Sequence, residues 1–120
     1  DEGIQPWKKS GGLLMSHFGK DTRILVLPLY DPTGLEWLSW RYITPLYFSH
    51  LSLEKNFVID QVDRHAEAYE HEITTGGFDG IVVSDRNRAA SEAIERMEKL
   101  QVLEKGFRFP DEFTVFFVRH

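Results

Sequence analysis

Cysteine is absent from the 120 residues, which excludes a disulfide framework, a thiolate nucleophile and any cysteine-ligated zinc or iron–sulfur centre. Long apolar runs are missing too. The longest, Ile24 to Tyr30, falls well short of the roughly 18–20 residues that cross a bilayer, and no charged and apolar leader opens the chain. A soluble protein without membrane contact is expected, cytoplasmic by default, although Asp1 in place of Met leaves room for a processed or excised chain. Positive charge is scarce: 14 Lys and Arg stand against 19 Asp and Glu, for a formal net charge of -5. That balance disfavours nucleic acid phosphates and anionic lipid as partners. Neither glycine-rich phosphate loop is present, dinucleotide or P-loop, and there is no G-x-S-x-G nucleophile elbow.

What is present reads as one folded domain. A hydrophobic fraction of 42% and a charged fraction of 28% are ordinary globular values, and this length supports a single core. Residues 1–22, dense in glycine, form an irregular lead-in with room for one short strand at Leu13-Leu14-Met15. Residues 23–120 form the domain. The run 23–30 reads as a strand buried on both faces, with Pro28 removing a ladder donor near its end. Asp31-Pro32-Thr33-Gly34 has turn chemistry, and an aromatic helix over about 34–43 follows, with a bend at Pro45.

Residues 56–62 (NFVIDQV) are predicted as a second strand. Val62, Ala66, Tyr69 and Ile73 then mark one face of a helix that Gly76-Gly77 stops. Phe78 to Ser84 is the third strand. Ala90, Ala93, Ile94, Met97, Leu100 and Leu103 form the apolar stripe of a further helix, supported by the (i, i+4) pairs Glu92/Arg96 and Glu95/Lys99 and ended by Gly106. Glu112 to Val118 closes the list of strands. Strands alternating with helices predict an α/β domain, a four-stranded and mostly parallel sheet covered by helices; the alternative is a ferredoxin-like α+β sandwich.

Three predicted strands run into an aspartate, Asp31, Asp63 and Asp85. In a parallel sheet these ends share the edge where ligands of open α/β folds bind, and converging carboxylates are what Mg²⁺ requires. The same positions suit helix N-caps, with Pro32 at a first helical position. Arg86 and Arg88, at the junction of the third strand and its helix, suit an anion. On the second helix His65, Tyr69 and Glu72 share a side and Glu67/His71 are an (i, i+4) pair. His65 and His71 stand six apart, which is not the metalloprotease spacing.

Residues 77–85 (GFDGIVVSD) are similar to the strand bearing the nucleophilic aspartate of family-three β-glucosidases, a resemblance that would make Asp85 the nucleophile. The likeness covers nine residues and stops at Arg86, where that family usually has tryptophan. The chain is also less than half of a barrel domain of roughly 250 residues, so the role is not carried over. The stretch Leu35 to Phe48 is the richest in aromatics. Trp37, Trp40, Tyr42, Tyr47 and Phe48 are residue types enriched in binding hot spots, and they predict a protein-interaction surface, with a homodimer as one form of it. The leading expectation is therefore an acidic interaction protein, and the alternative is a small Mg²⁺-dependent enzyme or phospho-ligand binder using the carboxylate edge.

Overall fold

Residues 18–33, 41, 48, 51–108 and 113–119 are described by the structure, a computed structural model. The predicted strand at 13–15 and the aromatic helix over 34–43 lie outside them, apart from Arg41, which is helical. In chain order the described elements are β1 (Ile24–Leu27), α1 (Leu53–Asn56), β2 (Phe57–Ile59), α2 (Ala66–Thr75), β3 (Gly80–Ser84), α3 (Arg88–Lys99), β4 (Leu103–Arg108) and β5 (Phe113–Val118).

The strands make one five-stranded sheet in the order β2-β1-β3-β5-β4. β1 pairs in parallel with β2, Ile24 opposite Phe57, and with β3, Ile24 opposite Gly80. β5 is antiparallel to both β3 and β4, so it alone runs against the others. The α/β class stands, but the sheet is mixed and has five strands rather than four. The fifth is β4, which the apolar stripe of α3 had absorbed. α3 stops at Lys99 because Gln101 adopts φ +61, a left-handed conformation that a helix cannot carry through. Leu100 is consequently 72% exposed, whereas Leu103 points into the core from β4. Gly106, expected to end the helix, sits instead at a register shift in β4 between Lys105 and Phe107.

The pleat divides the core in two. Ile24, Val26, Val82 and Val115 face Phe18, Phe48, Leu51 and Phe57 on one side. Leu25, Leu27, Ile81, Val83 and Phe116 face the apolar stripes of α2 and α3 on the other. Because both faces are covered, β1 and β3 are buried at every position, which explains their continuous rather than alternating apolar pattern. Each such buried Leu, Ile or Val contributes about 2 kcal/mol through its removal from water. Gly80 belongs to this packing: a Cβ there would lie 2.5 Å from the Phe18 ring. α2 ends where expected, at Gly76, with Gly77 at φ +68.

Candidate functional site at the carboxyl edge of the parallel strands

β1, β2 and β3 end at one edge, and short connections leave it after β2 and β3, residues 60–65 and 85–87. After β1 the chain turns at Asp31, whose Oδ1 accepts the Thr33 amide at 2.9 Å and the Thr33 hydroxyl at 2.7 Å. After β2 it runs through Asp60 to His65, and after β3 through Asp85 to Asn87. Neighbouring β1 and β3 send their chains in opposite directions across the sheet, since β1 leads to β2 on one side and β3 leads through α3 to β4 on the other. Such a reversal opens a crevice at the carboxyl ends of the strands.

Asn87 ties the three connections together. Its Oδ1 accepts the Ala90 amide at 3.2 Å, capping α3, while its Nδ2 donates to the Pro28 carbonyl at 3.0 Å and to the Tyr69 hydroxyl at 3.2 Å. The Tyr69 hydroxyl in turn donates to the Val62 carbonyl at 3.1 Å. Both amide protons and the carbonyl of this buried side chain are thus used, as a buried polar group requires.

The connection after β2 carries a charged cluster. The Asp60 amide donates to Val26 O and extends the ladder one residue past Ile59. Asp60 Oδ1 accepts the Val62 amide at 3.0 Å, and Oδ2 accepts Arg64 Nε at 2.9 Å. Arg64 Nε also lies 3.7 Å from Glu72 Oε1, an atom that is buried without a hydrogen-bond partner. Burial, then the interaction with Asp60, pushes Glu72 up to about 7 against the attraction of Arg64. For Asp60 burial acts upward as well, but the bonds from Glu72, the Val62 amide and Arg64 outweigh it and hold this carboxyl below its ordinary value. Two carboxyls that share a site are expected to separate in this way.

The expected site residues are placed as follows. Asp31, Asp63 and Asp85 do not converge, and among the described residues no three His, Asp or Glu side chains are grouped to hold a metal ion. Nor do Asp63 and Asp85 cap helices. α2 is capped by His65, whose Nδ1 accepts the Ala68 amide at 3.3 Å, and α3 by Asn87, two residues further on in each case. Asp85 is instead paired with Arg108 at 2.6 Å and accepts the Thr114 hydroxyl at 3.3 Å. Arg86 and Arg88 are exposed at the start of α3, the Arg86 amide donating to Ser84 Oγ at 3.2 Å. Glu67 Oε2, rather than facing His71, lies 3.1 Å from His65 Nδ1, where it competes with the Ala68 amide, since that nitrogen either donates to the carboxylate or accepts from the amide.

Of the aromatic set, Phe48 is fully buried with its ring edge against Phe57; Trp37, Trp40, Tyr42 and Tyr47 lie outside the described residues. Asp60, Arg64 and Asn87 are the residues of this edge that the sequence did not single out. The (i, i+4) spacing of Asp60 and Arg64 was the available signal.

A groove of about 370 Å³ opens beside Asp85, between α3 and the β4–β5 pair, with Ser91, Glu98, Lys105 and Arg108 on its rim and Val83, Ile94 and Phe116 beneath. A hollow of about 460 Å³ lies at the opposite edge, where the parallel strands begin, against Gly19, Lys20 and Asp79. No protein-family model matches this chain, and no curated protein or solved structure matches it either. No described helix is long and apolar enough to cross a membrane.

Proposed function

We propose that this is a small-ligand-binding α/β domain that takes an anionic, phosphate-like group at the start of α3. The observation that carries the reading is the position of that helix start: it opens where β1 and β3 part, and Asn87 pins it to the connection after β1. A helix N-terminus presents unsatisfied amides and a partial positive charge. The first turn of α3 carries no acidic residue, and Arg86 and Arg88 flank it. Guanidinium groups pair with phosphate oxygens in a planar, two-pronged geometry. The groove beside Asp85 has room for the remainder of a small ligand.

The test is thermal unfolding and titration calorimetry with inorganic phosphate and pyrophosphate at matched ionic strength. A ligand bound only by the native state raises the midpoint in proportion to RT ln(1 + [L]/Kd). The expected result is a rise that is lost in the Arg86→Ala/Arg88→Ala double variant, whose midpoint without ligand is unchanged. A rise of equal size in the double variant, or none at tens of millimolar phosphate, would overturn the reading.

A further inference from the structure

Residues 60–65 run back along α2 and are fastened to it twice, by the Tyr69 hydroxyl on Val62 O and by Arg64 beside Glu72. The second fastening is incomplete as drawn by charge alone. Asp60, with its side chain 5% exposed, and Glu72, with its side chain 24% exposed, both turn toward one guanidinium, and Glu72 Oε1 has no donor. Two ionised carboxyls offer acceptors only; a proton on one of them supplies the missing donor.

We propose that Asp60, Arg64 and Glu72 form a proton-operated clasp that holds the β2–α2 connection against the helix when Glu72 is protonated and loosens it when Glu72 ionises. In the closed state Glu72 donates to Asp60 while Arg64 serves Asp60, and the Val62 amide stays on Asp60 Oδ1. In the open state two anions compete for Arg64. The surrounding elements offer Glu72 little other charge. From α3 the cation that reaches α2 is Arg96, which is engaged by Glu70 and Glu67. His65 is turned to Glu67 at the helix start, and the sheet contributes Asp60. The position of Glu72 near neutral, at about 7, sets the range in which the clasp works. Its opening reaches the strand edge, because Val62, Tyr69, Asn87 and Pro28 are joined in one chain of hydrogen bonds.

The experiment follows the Glu72 side-chain carboxyl by carbon NMR and the Val62 amide by hydrogen exchange, corrected for intrinsic rates, from pH 5.5 to 8.5 at fixed ionic strength. In the wild-type protein Glu72 is expected to titrate near pH 7 and Val62 exchange to accelerate at least about fivefold through the same midpoint, a population change of the size a single coupled proton produces. Glu72→Gln, which keeps a neutral donor toward Asp60, is expected to hold Val62 slow at every pH. A Glu72 midpoint in the ordinary carboxylate range, or Val62 protection independent of pH in the wild type, would overturn the proposal without recourse to any variant. Equal pH dependence in Glu72→Gln would overturn it as well.

Discussion

Asp60 and Asp85 each follow the last residue of a parallel strand at the same sheet edge, yet they do opposite work. Asp60 turns inward: it takes the Val62 amide and Arg64 from its own connection and meets Glu72 of the next helix. Asp85 turns outward, its side chain 35% exposed, and reaches Arg108 across the sheet at the mouth of the groove. The difference comes from what each connection must do. The chain after β2 doubles back along α2 and needs a charge to hold it there. The chain after β3 enters α3 within three residues through Asn87, which performs the capping itself and leaves Asp85 available to the neighbouring strands.

The deepest break in this comparison would remove the residue that binds both regions. Asn87→Ala is expected to cost about 3 kcal/mol, from a lost cap, a stranded buried carbonyl at Pro28 and the loss of one of the two bonds at the Tyr69 hydroxyl, which keeps Val62 O, measured by urea unfolding; Asn87→Asp, which keeps the cap oxygen, should cost less. Asp60→Ala comes next, at about 2 kcal/mol near neutral pH, because the lost amide and guanidinium bonds are partly offset by relief of Glu72.

The pH dependence sharpens the contrast. Glu72 is raised above its unfolded value, so its contribution is fully present below about pH 4.5 and is lost as the pH climbs to about 7. Unfolding free energy should therefore fall over that window by on the order of 2 kcal/mol. Glu72→Gln removes the fall, whereas Asp85→Asn leaves it in place. Smallest of all is Asp85→Ala. With Arg108 60% exposed, the pair contributes less than about 1 kcal/mol and weakens further in salt.

These same residues mark how far the sequence could be read. β3 and α3 were legible because each satisfies one strong rule, a β-branched run buried on both sides and an apolar stripe at helical spacing. Gly76-Gly77 likewise stopped α2 where glycine should. β4 was not legible. Leu-Glu-Lys-Gly-Phe-Arg is an edge strand with Glu104, Lys105 and Gly106 exposed, so it shows neither continuous burial nor a β-rich composition, and Leu103 fell in phase with the helix before it. The direction of β5 is set by a short link back from β4, which residue pattern does not encode.

The sequence shows strand-end aspartates as a class, but it runs the second strand on to Asp63, past the end that the structure gives β2. Pairing with β1 ends that strand at Ile59, which makes Asp60, not Asp63, its terminal acid. The caps moved by two residues for a related reason: each turn uses a residue or two before helical geometry begins, and His65 and Asn87 occupy the position that results. Arg86 and Arg88 stand exposed at the opening of α3, the junction where the sequence puts them, because a strand-to-helix junction is defined by its two flanking elements.

The strand order also dictates how costly each pairing is to find. β4 and β5 are joined by only four residues, 109–112, whereas Ile24 must reach Gly80, more than fifty residues along the chain. Closing the longer loop costs about 2 kcal/mol more in chain entropy than closing the shorter one. The β4–β5 pair is thus the part of the sheet built from near neighbours, whereas the pairings of β1 with β2 and β3 and of β3 with β5 all span about thirty residues or more. A substitution in β5 such as Val115→Ala should slow folding, while Leu25→Ala in β1 should chiefly speed unfolding.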